Sequence, residues 1–337
     1  MPARAGIAAP PNWKMKWSSK VALALAAAGT AVVARSFMPV HFDLARAVDE
    51  QTATTLDTAH LPAIEITFLR CGSVSVPECI AVRGALSLTP RTIAHSAVLI
   101  RHPRATFLYD SGLCTNIAQF VQDQSLLFRQ MLGRFVLERP ISAHLHDLGM
   151  MPADLDFVLL SHLHWDHVSG LPDLPGVPLH VNRVEYEAAR LGLLDRNHNL
   201  VPRLMGYNPL TTFDCAGPAY EGFHSSYDLL GDGSLVLVPL PGHTAGNTGL
   251  FVNRTNGSRL FLIGDAAWVA DNYLHPAPFH PLLWSQVTSD DATARQTLLD
   301  LYHFSHRHPE IPLIAMHDAS MQEAFMSVSK VKFEKIR

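Results

Sequence analysis

The most informative stretch of this 337-residue sequence is Ser161-His162-Leu163-His164-Trp165-Asp166-His167, which directly follows the apolar run Phe157-Val158-Leu159-Leu160. The apolar run predicts a short buried strand, so a group of imidazoles and a carboxylate stands at the end of a rigid element. His162 and His164 can face one ion from an extended or tightly turning backbone, whereas Asp166 and His167 project differently and can serve a second ion. The stretch therefore predicts ligands for two metal ions.

Later residues of ligand type also follow short apolar runs. His243 follows residues 235–238 in a turn rich in proline and glycine, Asp265 follows residues 260–263, and His317 follows residues 313–316. A strand can aim each of these side chains into a shared cleft, and a carboxylate at position 265 could bridge two cations. Imidazole is the commonest transition-metal ligand, and the chain holds 19 histidines. Together these residues complete a coordination set.

The motifs resemble those of the metallo-β-lactamase superfamily, and the resemblance covers nearly everything from Ile64 to Ala319. It implies an α/β fold in which two mixed β-sheets are flanked by helices, an αββα sandwich. It assigns ligands to two metals, the first held by His162, His164 and His243 and the second by Asp166, His167 and His317. Asp265 would bridge them together with a water or hydroxide. Asp110 looks like the family's early aspartate, which supports the metal loop without binding metal.

Two adjacent cations favour hydrolysis, because they lower the pKa of a shared water and polarise a carbonyl or phosphoryl oxygen. Asp166 could orient the resulting hydroxide and carry a proton to the leaving group. No Ser-His-Asp or Gly-x-Ser-x-Gly arrangement competes for this role. Zinc is the expected ion, since sites of mixed histidine and carboxylate suit it, although iron, manganese or cobalt could use the same ligands.

Within the superfamily the sequence is most similar to the N-acyl homoserine lactonases, through the Ser-His-x-His-x-Asp-His loop, the bridging aspartate and the final His317-Asp318. The resemblance implies hydrolysis of a lactone or another carboxylic ester. The sequence departs from it at Trp268, where such lactonases place a tyrosine that holds the substrate carbonyl. An indole donates one hydrogen bond but is no acid, so Trp268 is interpreted as a pocket wall. Tyr273 and Tyr207 are the candidates to replace that tyrosine.

Other functions on the same metal ligands stay open at this point. Hydrolysis of a phosphodiester, an organophosphate or a thioester would use the same metal-bound water, and a metal-binding sensor without catalysis is the remaining class. A small molecule is the expected partner. Nucleic acid is not, because 26 basic and 30 acidic residues give a net charge of −4 with no basic stripe. The sequence does not indicate an oligomeric state.

The N-terminus has the layout of a secretory signal. Lys14, Lys16 and Lys20 precede the uncharged run 21–34, and Val32-Val33-Ala34 offers a cleavage site. A start at Met15 would give a more conventional signal. Export to the periplasm or the medium is therefore expected, or membrane anchoring through residues 21–34 if they are not cleaved. If the segment is only an alanine-rich helix, the protein is cytoplasmic.

The chain is predicted to consist of a signal or anchor (1–42), a linker (43–60) and one catalytic domain (61–337). Strands are expected at 64–69, 96–101, 106–109, 157–160, 179–182, 235–239, 260–263 and 313–316. Helices are expected over 116–137, 141–147 and 291–304. Cys71 and Cys79 could form a disulfide in an exported protein or remain buried and reduced.

Overall fold

A computed structural model describes residues 29–45, 60–124, 126, 129, 135–190, 200–255 and 257–334. The strands in these ranges are β1 (Glu65–Pro77), β2 (Pro90–His102), β3 (Ala105–Tyr109), β4 (Val136–Leu137), β5 (Phe157–Leu160), β6 (Leu179–Asn182), β7 (Leu210–Phe213), β8 (Tyr227–Asp228), β9 (Leu235–Pro239), β10 (Thr248–Asn253), β11 (Arg259–Leu262) and β12 (Leu313–Ile314). The α-helices are α1 (Glu78–Ala81), α2 (Ile117–Gln122), α3 (Ile141–Asp147), α4 (Trp165–Val168), α5 (Arg183–Arg190), α6 (Leu200–Met205), α7 (Asp271–Leu274), α8 (Pro281–Val287), α9 (Asp291–Arg307) and α10 (Ala319–Glu334), and residues 29–36 are also helical.

The strands form two mixed sheets. The first is 7-stranded, in the order β4-β1-β2-β3-β5-β6-β7, and the second is 5-stranded, in the order β12-β11-β10-β9-β8. In the first sheet β1, β2 and β3 pair antiparallel, whereas β3, β5, β6 and β7 pair parallel. In the second sheet only the β11–β12 pair is parallel among the described strands. The carboxyl ends of β5, β11 and β12 each lead into a loop with predicted metal ligands.

The two sheets pack face to face, and helices cover their outer faces. Alternate residues of one strand point to opposite sides, so Leu159 lies between the sheets, whereas Val158 and Leu160 join the helix-covered cluster. On the second sheet Phe251 and Phe261 pack outward against Phe304 of α9. Strands that are apolar on both faces are the expected result of a four-layer packing. The predicted αββα sandwich is confirmed.

Most of the predicted elements are confirmed, and one is wrong in part. The strands at 157–160 and 179–182 and the helix at 141–147 match the prediction. Helix α9 begins after Asp290, whose carboxylate accepts a hydrogen bond from the Thr293 amide at 2.7 Å. The helix predicted over 116–137 is confirmed only in part, since Ile117–Gln122 and residues 126 and 129 are helical, whereas Val136–Leu137 is a strand. The reason is non-local, because Val136 and Leu137 pair with Ser73 and Gly72 of β1.

No disulfide joins Cys71 to Cys79, and all of the cysteines are free thiols. The Cys71 thiol packs against Gly112, where even a β-carbon would come within 2.5 Å of the sulfur. Burial raises the pKa of the Cys71 thiol to about 12, so the group is an inert part of the core.

The predicted N-terminal signal is only partly covered, since residues 1–28 lie outside the described ranges. Residues 35–38 contact the α/β domain, through hydrogen bonds from Arg83 to the carbonyls of Arg35 and Met38. None of the helices in the described part of the chain combines the length and apolar content needed to cross a membrane.

Candidate metal centre

Asp110 holds the base of the histidine-rich loop. It is fully buried at the end of β3 and adopts a left-handed backbone conformation with φ of 57°, which aspartate tolerates better than most residues. Its Oδ1 accepts a hydrogen bond from the Ser161 amide at 2.8 Å, and its Oδ2 accepts one from the Ser161 hydroxyl at 2.9 Å. Oδ2 also lies 2.8 Å from Nδ1 of His167. This contact orients the ring of His167 so that Nε2 faces the other ligands.

The imidazoles of His162, His164 and His243 form the first ligand group. Nδ1 of His164 lies 3.1 Å from Nε2 of His162 and 2.9 Å from Nε2 of His243. Burial lowers the pKa of all three imidazoles, to about 4 for His164 and about 3 for His243. The rings are therefore neutral near pH 7, which is the form that binds a metal.

Asp265 stands between the first ligand group and the remaining ligands. Its Oδ2 lies 3.4 Å from Nε2 of His243 and 3.0 Å from Nε2 of His317. Its Oδ1 lies 3.3 Å from Nε2 of His167. On the far side, Oδ2 of Asp166 lies 3.3 Å from Nε2 of His317. The structure thus brings the predicted ligands together, with the Asp265 carboxylate in position to bridge two ions.

The carboxylates of the cluster carry buried negative charge that needs positive partners. Burial by itself would raise the pKa of Asp265, but His317 and His167 hold it well below its usual value. Burial would likewise lower the pKa of His167, but Asp265 and Asp110 raise it well above the usual value. Nε2 of His167 and Oδ1 of Asp265 are buried and have no hydrogen-bond partner in the described part of the chain. Unsatisfied buried groups cost about 1–3 kcal/mol each, and both are donor types that divalent transition metals bind.

Glu185 of α5 joins the two ligand-bearing loops and was not predicted from the sequence. Its side chain is fully buried, and its carboxylate accepts hydrogen bonds from the amides of Leu163 at 2.8 Å and Gly246 at 2.9 Å. Gly246 permits this approach, because a β-carbon there would come within 2.3 Å of the Glu185 amide nitrogen. An acidic residue on an otherwise buried face of a short helix is the sequence signal that could have identified it.

Trp268 donates its indole N–H to Oδ2 of Asp265 at 3.1 Å. The same ring stacks on Phe279, with ring centroids 4.1 Å apart. The indole therefore supports the bridging carboxylate. The interpretation of Trp268 as a pocket wall did not predict this hydrogen bond. Tyr273 is buried and donates its hydroxyl to the Leu313 carbonyl at 2.9 Å, and Tyr207 is fully exposed. These placements correct the suggestion that either tyrosine replaces the one expected at position 268.

A further imidazole, that of His95, also reaches the cluster. It belongs to β2, and its Nδ1 lies 3.5 Å from Oδ2 of Asp166. The apolar run predicts a strand that begins only at Ser96, so His95 was not predicted as a site residue. The local sequence carries no signal for it, because a single histidine in a strand is more often part of a core.

Comparison with known proteins shows the family of this chain. The sequence model of the metallo-beta-lactamase superfamily matches residues 91–310. The chain is 32% identical over 130 residues to the N-acyl homoserine lactonase AttM of Rhizobium radiobacter, a match to 37% of this chain and 46% of that protein. The chain therefore spans about half the length of such curated relatives.

Solved structures share the fold at low sequence identity. A Phe-to-Trp variant of AiiA from B. thuringiensis, with N-decanoyl-L-homoserine at its active site, superposes with a TM-score of 0.60 at 19% identity, covering 78% of this chain and 96% of that one. AidC, described as a dizinc quorum-quenching lactonase, gives 0.52 at 16% identity, covering 76% and 88%. With the family model matching well over half of its residues, the chain belongs to the metallo-β-lactamase superfamily.

Proposed function

We propose that this protein is a metal-dependent hydrolase that opens a lactone, or cleaves another carboxylic ester, with N-acyl homoserine lactones as the leading substrate class. The observation that carries the proposal is the juxtaposition of the His162, His164 and His243 imidazoles with a second group of ligands across the Asp265 carboxylate. The resemblance to N-acyl homoserine lactonases in the curated relatives supports the choice of substrate.

The donor set suits two divalent transition metals, and zinc is the first choice because imidazole and carboxylate ligands suit it. When bound, such a pair supplies a hydroxide near neutral pH and polarises the carbonyl oxygen of an ester. The chain's own contribution is to hold the ligands in fixed positions. Asp110 contacts the His167 ring, Glu185 accepts a hydrogen bond from the Leu163 amide, and Trp268 donates one to the bridging carboxylate.

Asp166 is the ligand best placed to handle a proton. Its side chain retains 12% exposure, whereas those of Asp265, His167 and His317 retain 2–3%. Burial alone would raise its pKa, but His167 and His95 lower it, so the group is a carboxylate at neutral pH. A carboxylate at the open side of the centre can accept a proton from the attacking water and pass it to the leaving alkoxide.

No tyrosine side chain is placed to hold the carbonyl of the substrate at position 268. Trp268 occupies the position three residues after Asp265, and its only side-chain N–H is already donated to the Asp265 carboxylate. Polarisation of the carbonyl therefore depends on the metal centre. We expect measurable but slower opening of lactones than an additional phenol donor would give.

The test is hydrolysis by the purified full chain of N-hexanoyl homoserine lactone, an aryl ester, a thioester and a phosphodiester. Each rate is measured before chelation, after chelation and after zinc is restored, together with the metal content. We expect lactone opening that is lost on chelation and recovered with zinc. Asp166→Asn should lower kcat about 100-fold or more, whereas Asp214→Asn, at an exposed ion pair with Arg183, should not change it.

The other outcomes identify the alternatives. Turnover of the phosphodiester or the thioester alone would replace the lactone with that substrate class on the same centre. Two bound metals with no turnover of any substrate would favour a metal-binding sensor and contradict the proposed hydrolase.

A further inference from the structure

His95 is a buried imidazole with an unsatisfied nitrogen directed at the metal centre. The residue is 5% exposed, and its Nδ1 has no hydrogen-bond partner among the described atoms. This nitrogen lies 3.5 Å from Oδ2 of Asp166. A buried polar atom without a partner is rare in folded proteins, so its orientation toward a group of ligands calls for an explanation.

The backbone next to His95 already orients a metal ligand. The Ala94 carbonyl lies 2.6 Å from Nδ1 of His317, and the Ala94 amide donates to the His317 carbonyl at 2.9 Å. These contacts direct Nε2 of His317 toward the two aspartates. The His95 side chain follows immediately on the same strand, and its ring centroid is 5.4 Å from that of His317. Strand β2 therefore brings His95 to the same side of the centre as His317.

The contacts of Asp166 indicate whether His95 binds metal itself or only positions a metal ligand. One oxygen, Oδ2, faces His95 Nδ1 at 3.5 Å and His317 Nε2 at 3.3 Å. A residue that only positions a ligand makes a short hydrogen bond to it, as Asp110 does to His167 at 2.8 Å, whereas Nδ1 of His95 stays 3.5 Å from the Asp166 carboxylate. The ligand atoms of His95, Asp166 and His317 all lie within 4.8 Å of one another. This is the spacing of donors around one shared ion.

We propose that His95 is an additional metal ligand, which binds the second ion together with Asp166 and His317 through its Nδ1. The inference rests on the two-metal centre proposed above and goes beyond the ligand set that the superfamily resemblance assigns. The occupant is a divalent transition metal, for which imidazole is a common ligand. His167 and Asp265, whose Nε2 and Oδ1 atoms lie 3.3 Å apart, would hold the same ion from the side of the bridging carboxylate.

The test compares metal binding by the wild-type chain, His95→Ala and His102→Ala. His102 is a matched control, because it lies on the same strand, is similarly buried at 6% exposure, and contacts Asp232 instead of the ligands. Zinc is removed from each full-length protein and titrated back against a chromophoric chelator. We expect His95→Ala to keep the first zinc and to bind the second more than about 100-fold more weakly, which exceeds the 10- to 100-fold loss typical of a residue that only supports a ligand. His102→Ala should bind both ions as the wild type does.

A second measurement needs no variant and so does not depend on how His95→Ala folds. In wild-type protein labelled with ¹⁵N-histidine, the His95 Nδ1 resonance should move to the range of metal-bound nitrogen as the second zinc equivalent is added. Wild-type affinity in a folded His95→Ala, or an unmoved His95 resonance when two zinc ions are bound, would overturn the assignment. A wild-type chain that binds fewer than two ions would instead overturn the two-metal centre, and His95 as its ligand with it.

Discussion

At the scale of single residues, Trp268 contacts the candidate metal centre through the Asp265 carboxylate. Its indole N–H donates to Oδ2, the oxygen that also faces His243 and His317. Trp268→Phe removes this donor and keeps an aromatic ring against Phe279. Because loss of a hydrogen bond to a ligand typically weakens metal binding 10- to 100-fold, we expect about a 10-fold loss of zinc affinity in Trp268→Phe. Chelator competition measures this change directly.

Trp284 offers a control for the same substitution. It also donates its indole N–H to an aspartate, Asp291, and its ring also contacts Phe279, but Asp291 is not a ligand. Trp284→Phe should therefore leave zinc affinity unchanged. Equal zinc affinities in the two variants would show that the bond from Trp268 does not support the centre.

At the scale of secondary-structure elements, helix α5 joins the two ligand loops through Glu185. Both carboxylate oxygens accept backbone N–H groups, one from each loop. In Glu185→Gln the side-chain NH2 replaces one of the two accepting oxygens. It would then face a backbone N–H, so two buried hydrogen-bond donors would point at each other. We expect the free energy of unfolding of the metal-free protein to fall by about 2 kcal/mol, as measured by urea denaturation. Glu187→Gln, at an exposed position of the same helix, should change it little. A similar decrease in the free energy of unfolding in both variants would show that Glu185 does not hold the two loops together.

The elements also explain which parts of the fold the sequence predicts. Strand β5 is apolar at every position because both faces are covered, so its bounds can be read directly. Strands β1 and β2 extend beyond the predicted apolar runs, since their pairing continues to Pro77 and Pro90 through partly exposed residues. Strand β4 exists only because β1 provides a partner for it. Local patterns predict local structure, and pairing partners distant in the sequence are not part of such patterns.

The same distinction applies to the candidate site. The loop Ser161–His167 and the residues His243, Asp265 and His317 each follow a strand, so position in the sequence was sufficient to predict them. His95 and Glu185 reach the loops from other elements, and their proximity depends on sheet order and helix packing. Trp268 was predicted at the site, but its partner Asp265 could be identified only from the side-chain geometry.

At the scale of the whole molecule, the N-terminal segment divides into an exposed part and a docked part. Val32 and Val33 are 70% and 60% exposed. A few residues later, the Ser36 hydroxyl hydrogen-bonds to Nε2 of His280 at 2.8 Å, and the Phe37 ring lies 4.4 Å from the His280 ring. The predicted cleavage site after Ala34 falls between the two parts. Cleavage there would remove the apolar run and keep the docked residues on the domain.

We therefore predict that the exported protein begins at Arg35, as read from the intact mass of material recovered outside the cytoplasm. Ala34→Phe should block this cleavage, because signal processing needs a small residue at that position. Removal of the chain up to Ala34 should leave Tm unchanged, whereas removal up to Phe42 deletes the docked hydrogen bonds and should lower Tm by at least about 2 °C. A full-length mass in the membrane fraction would indicate an anchor, and one in the cytoplasm would contradict export. Equal Tm values for the two truncations would show that the docked segment does not stabilise the domain.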